Sequence, residues 1–425
     1  MKIKRSLFLL LVVLFGVSLT ACMGGGAEDN NDGENNDGGN GDEWVNPGVP
    51  MQVFVGTESA VFYQDVLNDY VEKNNLPFEI EVVGVDTGTY TDIFLKDTAK
   101  GADIFVAAHD NLGKLLDGSG AIAPITNKTL VNQIEASTDD VFLDVCYLSQ
   151  GGAQPQYYAV PLIRQSLVLF YDKALFNGKE AKLEYWDDIV SVAADNNKLA
   201  TTYLGTDGYS YSHWLLAKPA NQAAINAFGA NGTLQLFKDG KIENNNAYGD
   251  DQVLIHEYAM NFTANVNGRN GSIKGAGWQT ELSQGKVATL IGGAWNKEDV
   301  VKALGADNFG VTVLPKFKSG EYEFRSGSFY DVKCLMKKKD SAYAPYLDQI
   351  MMYLASDEIQ TRSYQECENL PASKNVVIDA NDSLAKAQIE QGKLAGIPQP
   401  FGYNAAFNPA YYSKGTALLF VELSI

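Results

Sequence analysis

Two periodicities alternate along the chain. Met51-Gln-Val-Phe-Val55 is a short apolar run, Ala60 to Lys73 carries apolar residues at helical spacing, and Phe78-Glu-Ile-Glu-Val-Val83 is apolar on alternate residues. This pattern predicts strand, helix, strand. A second helical stretch from Tyr90 to Lys100 leads into Ala102-Asp-Ile-Phe-Val-Ala107, a third apolar strand. Strands alternating with helices at this spacing predict an α/β fold, a mainly parallel sheet with helices on both faces. Farther on, Trp186-Asp-Asp-Ile189 opens a helix with acids in its first turn, where they suit the helix dipole. Glu281-Leu-Ser-Gln-Gly-Lys286 followed by Val287-Ala-Thr-Leu-Ile291 reads as helix end, glycine cap and buried strand. Gly310-Val-Thr-Val-Leu-Pro315 reads as a strand closed by proline and returning toward the first sheet.

Ligands of such sheets sit at the carboxyl ends of the strands, where loops and helix starts converge. Gly56-Thr-Glu-Ser59 follows the first strand and Ala107-Ala-His-Asp-Asn111 the third, so both loops are expected to face one cleft.

The first residues have a different pattern. Met1-Lys-Ile-Lys-Arg5 is basic and an apolar run from Leu7 to about Leu19 follows, shorter than the roughly 20 residues that span a bilayer as a helix. This is the layout of a secretory signal over residues 1–21. Residues 22–45 then hold an almost pure mixture of Gly, Asn, Asp and Glu, which buries too little apolar surface to offset its ordering entropy and reads as a solvated tether. No stretch of it has the ligand spacing of a calcium loop.

The formal net charge is −19, and removing Lys2, Lys4 and Arg5 takes it to −22. An acidic surface of that size argues against nucleic acid or anionic lipid as a partner. Besides Cys22 there are Cys146, Cys334 and Cys367, an odd number spaced too widely for a metal knuckle; they allow one disulfide or three buried thiols. No metal or cofactor site is read from the sequence.

Several segments taken together resemble the extracellular solute-binding proteins of ATP-binding-cassette importers, of the maltose/maltodextrin type. They are Ala102 to Gly113, Val160-Pro-Leu-Ile-Arg-Gln-Ser-Leu-Val-Leu-Phe-Tyr-Asp-Lys173, Gly292-Gly-Ala-Trp295, Gly310 to Phe317 and Gly396-Ile-Pro-Gln399. The resemblance implies a two-lobed fold of the type II periplasmic-binding kind, each lobe a mixed, mainly parallel sheet flanked by helices, with sugar held between the lobes. Carried over, residues 46–163 with 315–370 form the first lobe, and 164–314 with 371–425 the second. Leu19-Thr-Ala-Cys22 resembles a lipoprotein processing box, which implies that Cys22 becomes a lipidated N-terminus on the extracytoplasmic face of the cell membrane. The implied partners are an oligosaccharide, most simply a maltodextrin, two permease subunits and a cytoplasmic ATPase; the protein itself is implied to be a monomer and no enzyme.

A sugar presents hydroxyl edges and apolar faces, so its site needs paired donors and acceptors beside flat aromatic surfaces. Asp110 matches the family's hydroxyl-binding aspartate, with a helix cap as the alternative, and Glu58 falls near the family's first acidic contact. Gln165 stands where close relatives carry a glutamate at the crossover between lobes; Arg164 beside it either reaches a hydroxyl or pairs with an acid at the hinge. Trp295 matches an aromatic that stacks on a sugar ring. Tyr209, Tyr211 and Trp214 occupy the region of another aromatic platform, and Phe407 approximates a third. Ala107 and Asn111 depart from the aromatic and basic residues of the family's best-known maltose binder, so the sugar is gripped differently or is a different sugar. No nucleophile elbow, zinc-protease motif or phosphate loop is present. A surface glycoside hydrolase, or an adhesive lipoprotein with a vestigial cleft, are the competing classes, separated by product formation and by ligand-induced protection.

Overall fold

The computed structural model describes residues 44–118, 120–203, 213, 216–228, 237–238, 241–242 and 277–399. The chain divides between Val45 and Asn46, and the main elements all belong to the second unit. In chain order its main elements are β1 (Met51–Gly56), α1 (Ala60–Asn74), β2 (Ile80–Val85), α2 (Tyr90–Lys96), β3 (Ile104–Ala108), α3 (Lys128–Ser137), β4 (Val160–Ser166), β5 (Val168–Asp172), α4 (Trp186–Asp195) and β6 (Leu199–Tyr203). There follow β7 (Val287–Gly292), α5 (Lys297–Leu304), β8 (Phe309–Thr312), β9 (Lys316–Ser319), β10 (Tyr322–Arg325), β11 (Ser328–Lys337), α6 (Ala344–Leu354), α7 (Asp357–Cys367), α8 (Ser383–Ala395) and β12 (Gly396–Pro398).

Local chemistry explains the elements near the cleft. Met51, Val53 and Val55 of β1 are buried on alternate positions, and Phe62, Tyr63, Val66 and Leu67 make the buried stripe of α1. Asn75 then ends that helix in the left-handed region, with φ 48. Gly285, φ 64, closes the turn before β7, all six residues of which are buried.

Two sheets organise the unit. The first has the order β12-β11-β3-β1-β2, with β4 also pairing β11; β2 and β3 flank β1 in parallel, whereas β11 runs antiparallel to both β3 and β4. The second has the order β8-β5-β7-β6, with only the β7–β6 pair parallel. Their cores are separate. Phe94, Phe105, Leu112, Val332 and Cys334 fill one, and Leu167, Leu169, Trp186, Ile291, Phe317, Phe324 and Phe329 fill the other.

The chain leaves the first sheet at Leu167, between β4 and β5, two residues beyond Gln165. Its return comes later than the Pro315 boundary expected from the sequence. The β9–β10 hairpin intervenes, and Phe317 and Phe324 bury against Trp186 in the second core. Crossing is completed within β11, where Phe329 still belongs to the second core and Val332 to the first. Gly396–Pro398, inside the stretch assigned to the second lobe from sequence, pairs with β11 in the first sheet.

Candidate functional site

Register sets the floor of the cleft. Ala108 pairs with Lys333 at the end of β3, so the antiparallel count places Asp110 level with Asp331, two residues farther along. On the other flank of β11, Asp331 pairs directly with Gln165. β12 runs beside β11 as far as Pro398 opposite Tyr330, which brings Gln399 next to the same position. Gln165, Asp331, Asp110 and Gln399 therefore form one polar row across the sheet, at the end where the chain passes between lobes.

Hydrogen bonds fix the row. The Gln399 Nε2 donates to Asp110 Oδ2 at 3.2 Å and the Asn111 Nδ2 to Asp110 Oδ1 at 3.0 Å. The Val332 amide donates to His109 Nδ1 at 3.2 Å, so the ring proton sits on Nε2, which donates to the Gln399 carbonyl at 2.8 Å. In that tautomer Nδ1 and Asp331 Oδ1, 3.5 Å apart, are both acceptors, and among the described residues this buried carboxylate oxygen has no hydrogen-bond donor. Burial first, and the Asp331 charge second, push the Asp110 carboxyl up to about 7, against 3.8 for an ordinary aspartate; the Lys114 ammonium pulls the other way. The site thus holds a fully buried acid poised near neutrality beside a second carboxylate with spare acceptor capacity.

The remaining sequence-derived residues take different positions. Glu58 lies in the 3-10 turn after β1, 60 % exposed in its side chain and 4.0 Å from Lys333 Nζ. Arg164 turns away from the row: its guanidinium lies 3.9 Å from Asp139 Oδ2 and over the Phe142 ring, and burial lowers its pKa, with Asp139 offsetting part of the effect. Gln165 is half-buried and its backbone is held in the β4–β11 ladder.

Trp295 projects from the second lobe. β7 ends with Gly292 paired to Val168, two residues past Ser166, so the 3-10 turn Ala294–Asn296 emerges at the crossover. Asn296 Oδ1 accepts the Gly293 amide at 3.0 Å and fixes that turn. The indole lies against Gly293, where any Cβ would stand 2.2 Å from ring atoms, so only glycine leaves room for it. Trp295 is 49 % exposed, a flat apolar surface on the turn that follows β7. Two residues on, Lys297 Nζ lies 2.6 Å from Glu368 Oε2, an ion pair between α5 of the second lobe and the end of α7 of the first.

Tyr209, Tyr211, Trp214, Phe407 and Cys22 lie outside the described residues. Sequence reasoning missed Asp331, His109 and Gln399. His109 and Gln399 stand in segments already singled out, but Asp331 had no signal, because only the β11 register reveals what it faces.

Two sheets with separate cores, joined by crossing strands and carrying a polar row at the crossing, define a two-lobed binding protein of the type II periplasmic-binding fold. The sequence agrees: a profile of the bacterial extracellular solute-binding protein family matches residues 66–391, and the chain belongs to that family. A galactooligosaccharide-binding protein of Bacillus subtilis is 25 % identical over 278 residues, covering 62 % of this chain and 61 % of that protein, so the match spans less than two thirds of that relative. A maltooligosaccharide ABC transporter solute-binding lipoprotein of Streptococcus pneumoniae is 25 % identical over 374 residues, covering 83 % of this chain and 82 % of the relative. Among solved structures, the maltodextrin binding protein MalE1 from L. casei BL23, without ligand, superimposes with a TM-score of 0.69 at 18 % identity, covering 89 % of this chain and 95 % of that one.

Proposed function

We propose that this protein is the lipid-anchored, extracytoplasmic substrate-binding component of an ATP-binding-cassette importer, and that it captures a neutral oligosaccharide between its lobes and hands it to a permease pair driven by a cytoplasmic ATPase. The observation that carries the reading is the row Gln165, Asp331, Asp110 and Gln399 at the crossover, with the half-exposed Trp295 on the second-lobe turn after β7 as its aromatic complement. Carboxylates and carboxamides in a row accept and donate to sugar hydroxyls, and an indole presents the flat face on which a pyranose ring stacks. In this reading Asp110 and Asp331 accept hydroxyl protons, Gln165 supplies an amide donor and acceptor, Trp295 stacks, and Glu58 reaches the ligand from the first lobe. Tyr209, Tyr211 and Phe407 are carried as further aromatic contacts, and Arg164 supports the hinge through Asp139.

The ligand we propose is an α-linked glucan of maltotriose length or longer, because relatives named for maltooligosaccharides align over most of the chain. A galactooligosaccharide is the competing solute. The role is binding without cleavage. Membrane attachment is assigned to a diacylated Cys22, two acyl chains being what stable anchoring takes. Among the described residues no helix is long and apolar enough to cross a membrane.

A thermal-shift screen over mono-, oligo- and polysaccharides, followed by calorimetry, tests the reading. A ligand at 100 times its dissociation constant adds about 2.7 kcal/mol of stability, readily seen as a raised Tm. Maltotriose and longer glucans should stabilise the protein and remain uncleaved. Stabilisation by galactooligosaccharides alone would replace the glucan, and no response to any glycan would overturn the oligosaccharide class.

A further inference from the structure

Cys146 and Cys334 are 188 residues apart in sequence, yet their sulfur atoms lie 3.6 Å from each other. Both side chains are completely buried in the first-lobe core, among Phe105, Tyr158 and Val332. Cys146 ends a short helical turn, its amide bonded to the Leu143 carbonyl and its carbonyl to the Tyr158 amide, so its backbone is fixed. Cys334 is fixed by pairing on both sides of β11, with Ala107 of β3 and Pro161 of β4. The Cys334 thiol donates to the Val332 carbonyl at 3.4 Å, which leaves the Cys146 thiol to donate to the Cys334 sulfur. Among the described residues neither sulfur hydrogen-bonds to the polar row. Closing the gap to the roughly 2.05 Å of a disulfide takes a movement of about 1.5 Å.

We propose that Cys146 and Cys334 are joined by a disulfide in the mature protein, a covalent tie beneath the cleft floor. This rests on the extracytoplasmic location proposed above, since disulfides persist in that compartment. The chemistry is an exchange. The two thiols give up two protons and two electrons, their sulfurs bond to each other, and the disulfide of an external thiol–disulfide partner, protein or small molecule, is cleaved to two thiols. Burial raises the Cys334 pKa well above the ordinary thiol value, so the folded core disfavours the thiolate that exchange requires. The bond therefore forms during folding, before the core closes. Once made, it anchors β11 three residues from Asp331 and shortens the free span of the unfolded chain. Cys367, half-buried near Ser59, stays a free thiol and serves as an internal control.

The test is a peptide map of the full chain, extracted from membranes without reductant and alkylated in denaturant. The expected product is a Cys146 peptide linked to a Cys334 peptide, lighter by two hydrogens than the sum of the two, with Cys367 alkylated. A second arm refolds the reduced chain in a mixture of oxidised and reduced glutathione, and the same link should form. If Cys146 and Cys334 are alkylated quantitatively in both arms, the proposal is overturned. If the membrane-derived chain is reduced while the refolded chain is linked, the proposal is overturned for the mature protein, and protease accessibility on intact cells shows whether the proposed extracytoplasmic location fails with it.

Discussion

Asp110 is the most informative residue. An acid held at about 7 in the folded protein and 3.8 in the unfolded chain costs the fold on the order of 4 kcal/mol above pH 7. The sign is opposite to that of a salt-bridged aspartate. Between those two values the unfolded chain releases its proton first, so this group's contribution to stability falls as pH rises and levels off above 7. In the proposed site ligand hydroxyls donate to the ionised form, and that reading gives binding the reverse dependence. Affinity for maltotriose should rise between pH 6 and 8, measured by calorimetry across that range. In Asp331→Asn the midpoint should move to lower pH, because the second cause of the Asp110 shift has been removed. An unchanged midpoint would show that the two carboxylates do not sense one another. Trp295→Ala should weaken binding several-fold, since stacking on an aromatic ring is worth about 0.5–1.5 kcal/mol beyond its buried area. Equal affinities for wild type and variant would remove Trp295 from the site.

At the scale of elements, α8 makes the crossing permissible. Where the chain changes sheets, backbone groups leave one ladder before joining another, and buried ones need partners. Gln388 Oε1 accepts the Ser166 amide at 3.2 Å; Gln391 Oε1 accepts the Leu314 amide at 2.8 Å and its Nε2 donates to the Ser326 carbonyl at 3.0 Å. Both side chains are buried. Leu167, at the crossing itself, donates instead to Ser328 Oγ at 2.8 Å. Gln391→Leu, close in volume but without hydrogen-bonding capacity, should strand the Leu314 and Ser326 groups and cost about 2–4 kcal/mol, seen as a lowered denaturation midpoint with an unchanged slope. A variant as stable as wild type would mean that water replaces the carboxamide there.

Across the whole molecule, the lobes meet through the crossing strands and through the Lys297–Glu368 pair. Both partners are partly exposed, so the pair is a modest contact and more useful for biasing an equilibrium than for holding the fold. Ligand should compact the protein, read as a smaller radius of gyration in small-angle scattering at saturating maltotriose. Lys297→Ala should enlarge the ligand-free radius and leave the saturated value unchanged. Identical profiles with and without ligand would count against closure. Attachment is tested at the same scale: Cys22→Ala should abolish metabolic lipid labelling and release the protein from membranes, and persistent labelling would exclude Cys22 as the anchor.

What the sequence alone determined is local. Alternation in Met51–Val55 and the stripe of α1 marked the opening β-α-β unit, Gly285 marked the turn before β7, and the ends of β1 and β3 marked the two loops in which the family resemblance then named Glu58 and Asp110, because side-chain period and backbone sterics act over a few residues. Gly293-Ala-Trp295 marked the indole without showing why glycine precedes it. Only the tertiary structure decided the rest. Asp331 acquires its neighbours from the antiparallel register of β11, Cys146 meets Cys334 across 188 residues, Arg164 turns to Asp139, and the β9–β10 hairpin delays the return crossing because Phe317 and Phe324 find their apolar partners in the second core. Those pairings join segments far apart in the chain, and no short-range pattern encodes which of many apolar or acidic residues will become neighbours once the sheets assemble.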